Sequence, residues 1–304
     1  MQKIVPHLWF DTQAKEAAEF YVSAFGGNSK ISGIHTIHGT PSGDVESVSF
    51  ELSGFSFMAI SAGPAFTLNP SISFFVNFDP LSDDNAGEHL DELWNKLSNG
   101  GTVLMPLQAY PFSKRYGWIK DKFGVSWQLI LTDPAGEPRP KIIPSLLFTG
   151  DKCGKAEEAT DFYLSIFNDT SRGLIARYPE GMEPDKEGTI MFTDFRLEGV
   201  WFAAMDSAQE HAFTFNEAIS LIVYCETQEE IDNYWEKLRD GGDPNAQQCG
   251  WLQDRYGVSW QVVPRLLEEM ISKGSKAQVE RVTKAFLPMK KMIIQELEKA
   301  YPNT

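Results

Sequence analysis

The chain has 304 residues, 42% of them hydrophobic, which is enough for two domains of ordinary size that each bury a core. Its 27 Lys and Arg residues against 42 Asp and Glu residues give a net charge of −15 and a pI near 4.8, which disfavours nucleic acid and anionic membrane surfaces as partners. Three cysteines without a CxxC pair argue against a disulfide framework and a typical zinc site. Because no signal peptide or membrane-length apolar run is evident, we expect a cytoplasmic protein.

Apolar periodicity predicts strands and helices in a regular order through the first half of the chain. Strands are predicted near residues 3–10, 30–38, 45–52, 54–61, 72–78, 102–106, 115–120 and 125–131, and helices near 13–25 and 84–98. The first helix places Ala17, Tyr21 and Ala24 at the spacing of one buried face, and Gly26 follows it as a stop. The predicted unit is a strand, a helix and three strands, and this unit occurs twice in the first half.

One stretch in the last part of that half is repeated later in the chain. WIKDKFGVSWQLI at 118–130 occurs again as WLQDRYGVSWQVV at 251–263, a constant offset of 133, and each copy contains a turn with Asp and Gly. Period-two alternation places Trp127 and Trp260 on a core face, packed under a helix, and Gln128 and Gln261 on the opposite face. Each buried Gln needs hydrogen-bond partners, so it either closes a structural network or points into a wet cavity.

The repeat extends over most of the chain. IVPHLWF at 4–10 matches IIPSLLF at 142–148, and LWNKLSNGG at 93–101 matches YWEKLRDGG at 234–242. The proline-rich segment between the copies cannot continue a helix or a central strand. We therefore predict a first domain at 1–132, a linker at 133–141, a second domain at 142–264 with the same element order, and a helical tail at 265–304.

The tail has its own pattern. Ser275 and Gln278 have the spacing of a helix capping box, Val279 to Leu297 contain one apolar face, and Pro288 should kink or restart the helix. The tail is basic on an acidic chain, so it either docks on its own domains, which we expect, or binds a partner. A short linker favours pairing within the chain, which predicts a monomer with an internal pseudo-dimer or a modest homodimer.

These motifs resemble the vicinal oxygen chelate superfamily, which includes glyoxalase I, bleomycin-resistance proteins and extradiol dioxygenases. Within it the chain is similar to the PhnB-like group, also labelled 3-demethylubiquinone-9 3-methyltransferase. The resemblance rests on IVPHLWF, the AxEFYxxAF helix, the DxFGVSWQ and DxYGVSWQ hairpins and the late MKKMIIQELEKA helix. It implies an α+β fold of two tandem domains, each of paired βαβββ units forming a cupped mixed sheet, with a C-terminal helical tail.

The resemblance also implies where a site would lie, because enzymes of the superfamily hold a divalent metal with His and Glu from four strands. The matching positions and their neighbours give these candidate ligand-binding residues: His7, Trp9, Ser73, Gln128, Ser145, Asp206, Ser220 and Gln261. A neutral Gln replaces the usual carboxylate in both halves, so we expect no cofactor, although a divalent metal is possible. The methyltransferase label lacks support because no Gly-rich strand-to-helix turn for S-adenosylmethionine is present.

Two functions from different classes remain. One is a metal-free protein that binds a small, partly aromatic molecule in a cup containing His7, Trp9 and Gln128. The other is an enzyme of the lyase, transferase or dioxygenase type, with an unusual metal site or without a metal.

Overall fold

The first half of the chain has the predicted order of elements. A computed structural model describes residues 2–302. Its first-half elements are β1 (Ile4–Phe10), α1 (Ala14–Phe25), β2 (Lys30–Thr40), β3 (Gly43–Leu52), β4 (Phe55–Ser61), β5 (Ile72–Phe78), α2 (Ala86–Ser98), β6 (Thr102–Tyr110), β7 (Ser113–Lys120) and β8 (Ser126–Leu131). All eight predicted strands and both predicted helices are confirmed within a few residues at their ends. No helix in residues 2–302 is long and apolar enough to cross a membrane.

The second half departs from the repeat at one strand. Its elements are β9 (Ile142–Phe148), α3 (Ala156–Ile166), β10 (Ser171–Arg177), β11 (Ile190–Leu197), β12 (Val200–Asp206), β13 (Ile219–Cys225), α4 (Gln228–Arg239), β14 (Trp251–Gln253) and β15 (Ser259–Pro264). The prediction of three strands after the second helix is wrong here, because nothing between α4 and β14 corresponds to β6. Pro244 opens a short 3₁₀ turn in that segment, and the segment ends in a tight turn at Cys249 and Gly250, both with positive φ.

The strands of residues 2–302 form two sheets, and each sheet takes strands from both halves of the sequence. The seven-stranded sheet has the order β14-β15-β13-β1-β4-β3-β2, and the eight-stranded sheet has the order β10-β11-β12-β9-β5-β8-β7-β6. The joints are antiparallel pairs of β1 with β13 and of β5 with β9. The α+β fold of duplicated βαβββ units with a helical tail is confirmed. Each sheet, however, combines one unit of each half, where the sequence suggested both units of one half.

The tryptophans that occur in both copies of the repeat lie in the core, as predicted. Trp127 and Trp260 are fully buried, and their rings contact Tyr21 of α1 and Tyr163 of α3, each at 5.3 Å between centroids. Each indole Nε1 donates a hydrogen bond to the Asp that starts the preceding turn, at 2.8 Å. The Asp and Trp of each repeat therefore fix the turn to the strand that follows it.

The tail consists of three helices that lie on their own chain: α5 (Arg265–Lys273), α6 (Lys276–Phe286) and α7 (Ile294–Ala300). The capping box of Ser275 and Gln278 is confirmed, and α6 ends before Pro288. The single apolar face predicted to run on through Ile293 is wrong, because residues 287–293 are not helical and Ile293 is 43% exposed. Helix α5 lies within the predicted helical tail, but no individual helix was assigned to it from the sequence.

The tail contacts the edge of the seven-stranded sheet at which the second half lacks a strand. The backbone N–H groups of Cys249 and Gly250 donate to the carbonyls of Met289 and Lys290, at 2.7 and 2.8 Å. The Lys291 ammonium lies 2.8 Å from a carboxylate oxygen of Asp232 on α4. Docking on the tail's own chain is therefore confirmed, and α6 continues across to the opposite edge strand, β2.

Candidate functional site

The two sheets each present one face to helices α1 to α4 and one face away from these four helices. We call the second face cup A on the seven-stranded sheet and cup B on the eight-stranded sheet. Alternation along β1 places Ile4, Leu8 and Phe10 in the helix-covered core and leaves His7 and Trp9 in cup A. Ser220 and Gln261 belong to the same face, because Ser220 is paired with His7 and bonded to Gln261.

A cavity of about 540 Å³ lies between cup A and the tail. This is within the range of small-molecule sites in proteins, about 300–1,000 Å³. Leu267 and Ile271 of α5 and Phe286 of α6 close it on the tail side, and its walls are mainly apolar. The tail is thus part of the site as well as a cover for it.

Aromatic rings form one wall of the cavity. The Trp9 ring meets Phe66 edge to face at 5.0 Å between centroids, and Trp251 lies 6.2 Å from Trp9 and 5.6 Å from the His7 imidazole. Trp9 is fixed by a 2.7 Å hydrogen bond from its Nε1 to the carbonyl of Gly63. These rings offer flat, rigid surface to a planar group.

His7 is a buried polar residue of cup A with an unpaired ring nitrogen. Its side chain is 4% exposed, and its Nδ1 has no hydrogen-bond partner within residues 2–302. Burial lowers the pKa of His7 to about 3, so the imidazole is neutral at physiological pH. A neutral imidazole has one donor and one acceptor nitrogen, and the His7 side chain lines the cavity.

The low pKa of His7 predicts how stability changes with pH. The unfolded chain takes up a proton at this residue below about pH 6.5, and the folded chain does so only near pH 3, so stability is lost as the pH falls between those values. When the pH is lowered from 6 to 4, the His7→Gln variant should lose about 2.5 kcal/mol less unfolding free energy than the parent chain. Urea unfolding at both values of pH measures it. His89→Gln, at an exposed imidazole beside Asp83, should not reduce the loss, and parallel curves for the His7 variant and the parent chain would contradict the prediction.

Gln261 is held in place by one hydrogen bond. Its Nε2 donates to Ser220 Oγ at 2.9 Å, and Trp251 is its neighbour across the antiparallel pair of β14 and β15. Gln261 lines the cavity, and among residues 2–302 its Oε1 has no donor. The sequence left open whether this Gln closes a hydrogen-bond network or faces a cavity, and Gln261 does both. Its amide nitrogen bonds to Ser220, and its amide oxygen remains free toward the cavity.

Cup B has the same polar centre but is filled by its own side chains. Gln128 Nε2 donates to Ser73 Oγ at 2.8 Å, and Gln128 Oε1 accepts from the Tyr116 hydroxyl at 2.5 Å. Ser145 occupies the position that His7 has in cup A, and its Oγ is buried without a partner in residues 2–302. The apolar cluster of cup B contains Phe75, Tyr116, Ile143, Ala203 and the partly buried Met105, Tyr110, Trp118, Ile130, Phe192, Trp201 and Met205.

The structure corrects two expectations about the site. His7 and Trp9 do not share a cup with Gln128, because β1 pairs with β13 of the other half and β8 belongs to the eight-stranded sheet. Asp206 lies in neither cup: its carboxylate accepts backbone N–H groups of Gly154, Ala156 and Ile190, on the helix side of β12. Alternation along β12 instead places Met205 in cup B, so the predicted register for this position was one residue off.

Three further residues of cup A were not proposed from the sequence. Tyr224 lines the cavity two alternations after Ser220 on β13, so period two along that strand could have found it. Trp251 is the partner of Gln261 in the repeated hairpin, which the matching of Trp118 with Trp251 already indicated. Glu268 lies on α5, and its place in the site could not be found without the path of the tail.

The donor set of cup A does not fit the divalent metal that the superfamily implies. Strands β1, β4, β13 and β15 supply His7, Ser220, Gln261, Met58 and Ile60, which is one imidazole and no carboxylate. His35 of β2, Glu217 and Glu268 also line the cavity, outside these four strands. Transition metals in such sites prefer several imidazole or carboxylate ligands. No cluster of three or more His, Cys, Asp or Glu residues that could hold a metal occurs in the described part of the chain.

The family model described as 3-demethylubiquinone-9 3-methyltransferase matches residues 2–130 and again residues 140–263. The chain belongs to this family. Two matches in tandem agree with the duplication read from the hairpins. A PhnB protein from Bacillus cereus is 38% identical over 43% of this chain and 100% of its own, with a TM-score of 0.38.

Two further solved structures are similar to this tandem member of the 3-demethylubiquinone-9 3-methyltransferase family. Glyoxalase I from Zea mays is 12% identical over 90% of this chain and 98% of its own, with a TM-score of 0.53, which is a likeness of fold alone. Protein PA1353 from Pseudomonas aeruginosa is 24% identical over 43% of this chain and 98% of its own, with a TM-score of 0.36. No curated protein matches the chain.

Proposed function

We propose that the chain is a cytoplasmic small-molecule-binding protein with one site, the cavity of cup A, which holds a largely apolar, uncharged ligand without a catalytic metal. The observation that carries the proposal is a cavity of ligand size whose wall contains a buried imidazole without a hydrogen-bond partner. A buried polar atom left unpaired costs about 1–3 kcal/mol. A ligand that supplies the partner for His7 removes that cost.

The charges around the cavity support an uncharged ligand. The acidic lining residues are Glu217 and Glu268, and no Lys or Arg of residues 2–302 lines the cavity. An anionic ligand would be desolvated there without a cation to pair with it. Cup B does not offer a second site, because its own apolar side chains and Tyr116 occupy it.

A screen of uncharged aromatic and heteroaromatic compounds by thermal shift, followed by calorimetry, tests the proposal. We expect binding that saturates at one molecule per chain. Ser49→Phe should abolish it, because Ser49 lines the cavity and a phenyl ring would fill the space. Thr36→Phe, at an exposed position on β2, is the matched control and should bind normally. No binding, or binding that Ser49→Phe does not weaken, would sink the proposal.

One observation favours an enzyme as the second candidate. A neutral imidazole facing a ligand cavity has the protonation state of a general base, and His7 has both properties. Product analysis of each bound compound separates the two candidates, since a binding protein returns its ligand unchanged. Metal analysis adds a second criterion: stoichiometric metal that is lost in Gln261→Leu would favour a metal-dependent enzyme.

A further inference from the structure

Cup B holds a phenol group of the chain itself. The Tyr116 hydroxyl donates to Gln128 Oε1 at 2.5 Å, while Gln128 is oriented by its 2.8 Å hydrogen bond to Ser73. The Tyr116 ring is buried, and it packs edge to face on Phe112 and Tyr110 at 5.0 and 5.5 Å between centroids. The Gln and Ser pair of cup B therefore acts as an acceptor for an aromatic hydroxyl in an apolar surrounding.

Cup A contains the same acceptor in the same register. Gln261 is bonded to Ser220 as Gln128 is to Ser73, at 2.9 Å. On the neighbouring strand Trp251 lies opposite Gln261, just as Trp118 lies opposite Gln128. The two cups differ at the amide oxygen of the Gln. Gln261 Oε1 has no donor among residues 2–302, and Gln261 lines the cavity.

The second half has no tyrosine at the position that corresponds to Tyr116, because the chain turns there. Strand β7 begins at Ser113 and carries Tyr116, but its counterpart β14 begins only at Trp251. The residue two places before Trp251 is Cys249, which lies in a tight turn with φ 53° and places its Sγ 3.2 Å from the carbonyl of Leu287. No ring of the chain is supplied from this position, and the cavity opens beside Gln261.

We propose that cup A binds a ligand that carries an aromatic hydroxyl, and that this hydroxyl donates to Gln261 Oε1 as Tyr116 donates to Gln128. The inference rests on the proposed function and narrows its ligand class. The ring of the ligand would lie among the aromatic walls formed by Trp9 and Trp251. The hydroxyl is bound in its neutral form, because Gln261 Oε1 can only accept and no Lys or Arg of residues 2–302 lines the cavity to pair with a phenolate.

Matched pairs of compounds test the hydroxyl directly on the intact chain. Phenol, 2-naphthol and 4-phenylphenol are compared by calorimetry with their methyl ethers, which keep the ring and the oxygen but lose the donor. We expect at least one of the hydroxyl compounds to bind about tenfold more tightly than its ether, as one hydrogen bond to a buried acceptor allows. Gln261→Leu should remove that difference. Gln128→Leu, the same change in cup B, should preserve it.

Three results would overturn the inference. They are equal affinity for hydroxyl and ether, a preference that survives in Gln261→Leu, and no binding of any of the six compounds. If compounds bind in cup A without a preference for the hydroxyl, and Ser49→Phe excludes them, the inference fails while the proposed function stands. If nothing binds in cup A, both fail.

Opening cup B provides an independent test of the same recognition. Tyr116→Ala removes a phenol from the contact with Gln128, and added phenol should raise the melting temperature of this variant by more than it raises that of the parent chain. Anisole should give little of this additional rise. Equal rescue by phenol and anisole would show that the Gln and Ser pair does not select a hydroxyl, which also overturns the inference.

Discussion

Replacing Asp254 with alanine should lower the free energy of unfolding by about 4 kcal/mol or more, because four buried donors lose their acceptor at once. One carboxylate oxygen accepts from the Tyr163 hydroxyl at 2.7 Å and from Trp260 Nε1 at 2.8 Å. The other accepts from the backbone N–H groups of Tyr256 and Val258, at 2.8 and 3.0 Å. The substitution leaves these four buried donors without their carboxylate acceptor.

Urea unfolding, read as a shift in the midpoint at constant slope, measures this loss. Asp121→Ala, in the other copy of the turn, should also be strongly destabilising, since Asp121 accepts from Trp127 and from two backbone N–H groups. Asp240→Ala is the control, at an exposed carboxylate whose loss should change stability by about 0.5 kcal/mol or less. A loss at Asp254 no larger than at Asp240 would show that the turn does not depend on its carboxylate.

Ending the chain at Lys273 should abolish ligand binding in cup A and lower the free energy of unfolding by several kcal/mol. The missing part contains the buried side chains of Val279, Val282 and Leu297, and each fully buried aliphatic side chain contributes about 1.5–3 kcal/mol. It also contains Phe286, which closes the cavity. Thermal unfolding and calorimetry with a cup A ligand measure the two effects.

Point variants separate loss of the tail from loss of the fold. Leu297→Ala should destabilise the docked tail by about 2–5 kcal/mol, whereas Ile293→Ala, at an exposed position of the same segment, should have little effect. Light scattering should show a monomer for the intact chain and for the truncated one, because the tail docks on its own chain. A stable dimer that becomes monomeric on truncation would instead identify the tail as an assembly element.

Local signals located most of the elements and the chemistry of the turns. Alternation along VSWQ assigned Trp127 to the core and Gln128 to the open face, because side chains of a strand alternate between its two faces whatever the strand pairs with. The capping box at Ser275 was equally readable, since its hydrogen bonds join residues three apart. The same reasoning failed at Asp206, where an error of one residue in the register moved the side chain to the other face.

The sequence by itself determined that the chain is a duplicated βαβββ protein with a helical tail, and which residue types stand at the polar centres. Only the tertiary structure decided which strands share a sheet. The strands IVPHLWF and IIPSLLF have nearly the same apolar pattern. No local pattern therefore predicts that β1 pairs with β13 and that β9 pairs with β5. That choice depends on contacts between residues far apart in the chain. It places His7 and Gln261 on the same sheet face, on either side of Ser220 and under the tail, while Gln128 in the other sheet bonds to Tyr116.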